Sequence, residues 1–313
     1  GQQPSATVGQ KHQVHASSGE FSHQRKFPVC YRLQYNPQTM TSYRYPNERL
    51  ILALTLLLVF AVIAVTAVAT VCGSVVFVLG MLVLSYMLNR SQHNRLIEKA
   101  LPITPQNQPK LARLVADCGK RLRSGTFQTF IAPQNVLNAY TFGLVEPQVV
   151  VVYAGVLRIM DVDELRFVIG HELGHVGLGH TVLNSLVGGL AGIPSPYFAA
   201  AVLYIAFRWW NRACEYSADR AGLLACGNPE KAVSALIKME TGASAALSAE
   251  GWRRALSRIE AEDDHLEGNL RELISTHPMT VRRLEALRKY AASVAYQRLQ
   301  AKINETHPIR SHG

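Results

Sequence analysis

The chain has 313 residues and a formal charge of +10, yet only 17% of its residues are charged, against about 25% in an ordinary soluble protein. A hydrophobic content of 48% excludes disorder over most of the length, and five Cys are too sparse and odd-numbered for a disulfide-stapled module. The excess of 32 Lys and Arg over 22 Asp and Glu suits nucleic acid or an anionic membrane surface, and the placement of the apolar residues decides between the two.

Residues 1–49 are rich in Gln, Ser and His without hydrophobic period, and they read as a disordered tail. His12, His15 and His23 are irregularly spaced and lack partner Cys, which marks a solvated segment, not a metal site. Met40 reads as the natural start, with the preceding residues an upstream extension. From Leu50 to Leu88 there is no charged residue. As one helix this run would be about 58 Å long, against a hydrocarbon core of about 30 Å. Two spans turning at Cys72-Gly73-Ser74 fit better, giving a transmembrane hairpin over 50–88. Arg44 and Arg49 precede it and Arg90, Arg95 and Lys99 follow, so the positive flanks place both ends on the cytoplasmic side.

Residues 89–313 form the rest of the protein. Pro102 and Pro105 punctuate a linker, and Leu111, Leu114, Val115, Cys118 and Leu122 give Pro109–Leu122 one apolar helical face. Three strand-like stretches follow, Thr126–Ile131, Val136–Phe142 and Gln148–Tyr153, divided by Pro or Gly turns. The remainder is helical. Asp161 and Glu164 have the spacing of a capping box and open a helix predicted to reach about His180, while Asn228-Pro229 opens another. The expected class is α+β: a small antiparallel sheet beside a mainly helical body. There is no internal repeat.

His171-Glu172-Leu173-Gly174-His175 places two imidazoles on one helical face, where both reach one metal ion, with Glu172 free to polarise a water. A third ligand is needed. The pattern with a further Gly and His downstream fails, because Leu178 and Thr181 occupy those positions. His180 is one residue short, and reads as a supporting or surface group on the helix flank. Glu215 and Asp219, four residues apart, share a face of a later helix. Glu215 completes a His₂Glu set, and Asp219 suits the other N–H of a ligating imidazole.

These motifs resemble the HtpX-type membrane zinc endopeptidases, gluzincins related to the CAAX prenyl proteases, over roughly Tyr43 to Leu287. The resemblance implies a zincin-like metallopeptidase domain holding one Zn²⁺ through His171, His175 and Glu215, with Glu172 as the catalytic acid and base. Asn138-Ala139-Tyr140 resembles the family strand on which substrate backbone pairs. Ser275-Thr276-His277-Pro278 with Arg283 resembles its carboxy-terminal element, where His277 stabilises the oxyanion and Arg283 braces the site. Implied substrates are proteins or peptides, misfolded membrane proteins among them, in quality control at a bacterial inner membrane, with the lipid bilayer as a further partner. Two alternatives are a catalytically silent adaptor of the same fold and a CAAX-type prenyl-protein protease; the latter has more spans than this chain supplies.

A second uncharged stretch, Thr181–Phe207, separates His175 from Glu215. A single crossing would put the ligands on opposite sides of the membrane, and two need about 40 residues. The stretch is then either a short re-entrant or interfacial hairpin or a buried lid over the cleft. The favoured reading is a hairpin dipping into the membrane, bent at Gly188-Gly189, Gly192 and Pro194-Ser195-Pro196, with Trp209-Trp210 between Arg208 and Arg212 as an interfacial anchor. Cys30, Cys72, Cys118, Cys214 and Cys226 form no C-x-x-C pair and read as reduced, packed thiols. No nucleic-acid motif accompanies the positive charge. The acidic run Glu260, Glu262, Asp263, Asp264 and Glu267 breaks any continuous basic face and reads as a solvated linker.

Overall fold

The computed structural model describes residues 29–32, 42–69, 73–187, 198–241 and 280–309. Met40, Cys72, the 188–197 bend and the 260–267 acidic run lie outside these. In chain order the elements are β1 (Tyr31–Arg32), α1 (Glu48–Ala69), α2 (Gly73–Lys99), β2 (Leu101–Pro102), α3 (Pro109–Leu122), β3 (Thr126–Ala132), β4 (Ala139–Phe142) and β5 (Gln148–Tyr153). There follow α4 (Ala154–Ile159), α5 (Val162–Leu178), α6 (His180–Val187), α7 (Phe198–Cys226), α8 (Pro229–Thr241), α9 (Thr280–Ala291) and α10 (Val294–Thr306).

The three strands expected from sequence form, but the sheet is mixed instead of antiparallel. Its order is β1-β3-β5-β4, with β2 pairing β3 off that path. β4 passes to the outer edge and β5 returns antiparallel to it, into the space beside β3. That return makes β5 parallel to β3, from Phe127 opposite Gln148 to Ala132 opposite Tyr153. Phe127, Val150 and Val152 on this sheet are fully buried, in one core with α3, α5, α7 and α8.

The featureless tail expected to residue 49 does not extend over Tyr31–Arg32 or Ser42–Asn47. Tyr31 stacks on Phe127 with ring centroids 5.1 Å apart, and Tyr43 is completely buried. Aromatic rings supply enough apolar area to dock a segment that otherwise lacks period.

α5 is capped as its sequence specifies. Asp161 accepts from the amides of Asp163 and Glu164, and Glu164 returns a bond to the Asp161 amide. At the other end Gly179 takes φ 79°, a left-handed position that costs glycine little, so the helix closes at Leu178 and α6 begins afresh at His180. Across α5 lies α7, and the two backbones approach closely because small residues line the contact. A Cβ on Gly174 would stand 2.6 Å from the Ala221 Cβ, and one on Gly170 would stand 2.4 Å from the Ala225 Cβ. α8 opens on Asn228, whose side-chain oxygen accepts from the Glu230 and Lys231 amides. Arg121 on α3, fully buried, donates twice to the Leu224 carbonyl near the end of α7, where orphan carbonyls and the helix dipole favour a cation.

Glu48–Val65 of α1 is long and apolar enough to cross a membrane. It also presents large apolar side chains outward: Leu57 is 68% exposed and Phe60 74%. On α2, Val76, Leu79, Val83 and Met87 are exposed as well. Contiguous apolar surface of this kind requires cover. The inner side of α1 packs along α7, and α2 contacts α1 and α6.

Candidate metal centre

His171 and His175 lie one turn apart on α5 and turn their Nε2 atoms to the same point, 3.2 Å from each other. α7 brings Glu215 to that point because of the small-residue contact described above. Its carboxylate stands 3.4 Å from His171 Nε2 and 3.5 Å from His175 Nε2. One atom from each of the three residues fits within a 4.8 Å span, so the set matches the two-imidazole, one-carboxylate donors of a catalytic metal site. Glu172, between the histidines in sequence, is 7% exposed.

Each imidazole is held from behind. His171 Nδ1 lies 3.0 Å from Asp219 Oδ1, one turn beyond Glu215. Arg283 of α9 grips that same carboxylate with two bonds, Nε to Oδ2 at 2.9 Å and Nη2 to Oδ1 at 2.6 Å, and lies 3.4 Å from Glu215 Oε2. His175 Nδ1 meets His180 Nδ1 at 3.1 Å, and His180 Nε2 meets Glu48 Oε1 at 3.0 Å. Glu48 also receives Arg44 and the Ser217 hydroxyl. With both histidines engaged at Nδ1, the lone pairs at Nε2 are directed to the common point.

The electrostatics favour a cation there. Burial would lower the His171 imidazole, but Asp219 and Glu215 outweigh it and push it up to about 10. Burial would raise Glu215 and Asp219, yet Arg283 and the imidazoles hold Glu215 well below the usual carboxylate range and Asp219 below it too. At Glu172 burial wins: it pushes the carboxyl upward, and His171, His175 and Arg283 offset it only in part. Burial also pushes His180 down to about 4 despite Glu48, and a neutral ring both accepts at one nitrogen and donates from the other.

Of the residues expected from sequence, the structure brings together His171, Glu172, His175, Glu215, Asp219 and Arg283. His277 lies outside the described residues. Asn138 is exposed, and its carbonyl accepts from the Tyr153 amide at 3.1 Å; Ala139 is buried at the start of β4. Among the described residues β4 is an outer strand of the sheet; it packs against α5, and it and the following Gly143 are tied to α6 by Thr181–Thr141 and Ser185–Gly143 bonds. Of the two readings of His180, the supporting one holds and the surface one does not: it is 2% exposed and bonded to His175. The break at Gly179 turns it inward. Glu48 and Ser217 were not singled out from sequence, and Arg44 was read only as a flanking charge of the hairpin. The available signal was Arg44-x-x-x-Glu48, an ion pair at helical spacing directly before an apolar run. Cys214 is buried beside Glu48 and His180, away from the His171–His175 pair.

Residues 105–291 match the sequence model of peptidase family M48. A protein named Protease HtpX homolog from Kineococcus radiotolerans is 28% identical over 231 residues, covering 61% of this chain and 78% of that protein. One of the same name from Thermococcus kodakarensis is 28% identical over 224 residues, covering 58% and 74%. The chain is also similar to Plastoglobule-localized metallopeptidase 48, chloroplastic, of Arabidopsis thaliana, with 26% identity over 194 residues, 58% of this chain and 56% of that protein.

Proposed function

The chain belongs to peptidase family M48 and is a metallopeptidase, and we propose that His171, His175 and Glu215 hold one zinc ion with which it hydrolyses internal peptide bonds at a membrane. The observation that carries this reading is the convergence of two Nε2 atoms and one carboxylate within 4.8 Å. Zinc bound there would supply a Lewis acid that activates water and polarises the peptide carbonyl. The protein's own groups do the rest. Glu172, buried and raised, takes the proton from the attacking water and delivers it to the leaving amine. Asp219, gripped by Arg283, keeps His171 in the tautomer that offers Nε2. His277 is the proposed oxyanion donor. Asn138 and Ala139 belong to the strand end on which substrate backbone pairs, since β4 has one strand partner, β5, among the described residues.

The exposed apolar faces of α1 and of residues 73–88 support a membrane hairpin, and the flanking Arg and Lys support a cytoplasmic catalytic body at a bacterial inner membrane. Apolar α6 residues beside α2 support a membrane association of the 181–207 segment. Misfolded membrane proteins, presented as unpaired extended chain near that surface, are the proposed substrates, and their removal the proposed role in quality control.

The test compares purified wild type with Glu172→Gln. The variant is expected to keep one equivalent of zinc and to lose casein cleavage by about two to four orders of magnitude. Wild-type cleavage by the variant overturns the mechanism. Wild type that binds zinc but cleaves nothing supports the silent-adaptor alternative.

A further inference from the structure

The two ligand histidines are supported in parallel ways, one of which reaches into the membrane anchor. Behind His171 stands a carboxylate, Asp219, held by an arginine of α9. Behind His175 stands an imidazole, His180, and behind that a carboxylate, Glu48, held by Arg44 and Ser217. Glu48 is the first residue of α1, the helix apolar enough to cross a membrane. It is 1% exposed, and both its oxygens are engaged. Arg44 adds a bond from Nη2 to the Leu178 carbonyl at 3.2 Å, on the last residue of the helix that carries both histidines.

We propose that Glu48 and His180 are positioning residues for the metal: through them the first turn of the membrane helix fixes the orientation of His175. The hydrogen-bond roles are mutually consistent. Glu48 accepts from His180 Nε2–H, His180 Nδ1 accepts from His175 Nδ1–H, and the His175 Nε2 lone pair is left for the metal. The inference rests on the metallopeptidase reading, since it assigns what orients a proposed ligand. A buried carboxylate without partners is strongly disfavoured, so one enclosed at the start of the apolar helix calls for a set of partners such as these. Glu48, His180 and Cys214 are also close enough to share an ion. That arrangement would have to displace Arg44 and Ser217 from Glu48, and the bonds they make favour the positioning role.

The test uses the full chain in detergent, loaded with zinc, and reads zinc content and the rate of zinc loss to an excess of chelator, together with kcat and KM. Glu48→Ala and His180→Ala are each expected to keep one equivalent at saturating zinc, to lose it about 10- to 100-fold faster, and to lower kcat with KM changed less. Glu48→Gln retains an acceptor oxygen and is expected to lose zinc at a rate between wild type and Glu48→Ala. Zinc loss at the wild-type rate in folded Glu48→Ala overturns the proposal; should that variant not fold, the same result in Glu48→Gln and His180→Ala overturns it. A second zinc equivalent in wild type, absent from Glu48→Ala while the first is retained, also overturns it. Wild type that binds no zinc overturns this proposal together with the metal assignment on which it rests, whereas normal zinc binding with indifferent variants overturns this proposal alone.

Discussion

Arg283 Nη2 lies 2.6 Å from Asp219 Oδ1, the same oxygen that stands 3.0 Å from His171 Nδ1. The guanidinium is thus one bond removed from a proposed metal ligand, and it closes on the carboxylate with a planar two-point grip that lysine lacks. Arg283→Met is expected to leave Asp219 as a buried, uncompensated charge, lowering zinc affinity and kcat/KM by about 10- to 100-fold. Arg283→Lys should recover only part of the loss. Chelator competition and peptide cleavage measured side by side check the expectation.

Glu215→Ala removes one of three protein donors and leaves Arg283 facing the two imidazoles. Zinc content after dialysis should fall well below one equivalent, with cleavage lost in parallel. In wild type, chelation should abolish cleavage and added zinc restore it. Glu172→Gln, by contrast, should retain zinc, and the pair of variants separates binding from proton transfer by metal analysis and activity on the same samples.

Gly174→Ala places a methyl group only 2.6 Å from the Ala221 Cβ. Overpacking of this kind costs about 1–3 kcal/mol. The melting temperature should fall by several degrees, and activity should fall further because α5 and α7 each carry proposed ligands. Adding Ala221→Gly restores the space at a helix-propensity cost of about 1 kcal/mol, so the double variant should regain part of both. Thermal unfolding of the four-member cycle is the measurement.

His93, on α2 beyond the proposed membrane-crossing residues, stacks on Phe142 with centroids 4.2 Å apart and meets the Tyr140 hydroxyl at 3.2 Å. Burial lowers its imidazole from 6.5 to about 4. Between those values the unfolded chain binds a proton that the folded one refuses, so stability is full above about pH 6.5 and is lost as pH falls through that window. His93→Phe removes this contribution. Denaturant titrations at pH 7 and pH 5 should show a smaller stability difference for the variant than for wild type.

Much of the site was legible because its residues follow helix periodicity. His171, His175, Glu215 and Asp219 are pairs four apart, and a helix converts that spacing into one face. The capping box at Asp161 and the Asn228-Pro229 start were legible for the same local reason. What escaped was non-local. A strand's alternation does not reveal its neighbour, so the parallel pairing of β3 with β5 was unavailable from Thr126–Ile131 and Gln148–Tyr153 taken separately. Glu48 is over a hundred residues before His175 and looks like an ordinary first-turn acid of an apolar helix. His180 was legible as a supporting group, but its inward setting was not, because the left-handed Gly179 ends α5 at Leu178 and restarts the helix at His180. The glycines at 170 and 174 were read past because their role is the distance between two helices.

The outer position of β4 bears on selectivity. A strand edge offers amide and carbonyl groups that any polypeptide matches, whatever its side chains, provided its own backbone is unoccupied. A native helix or sheet has already committed those groups and gains nothing by docking. If substrates dock at this edge as proposed, the enzyme would discriminate by conformational state before composition: it would sample how far a client has come undone and leave intact neighbours alone.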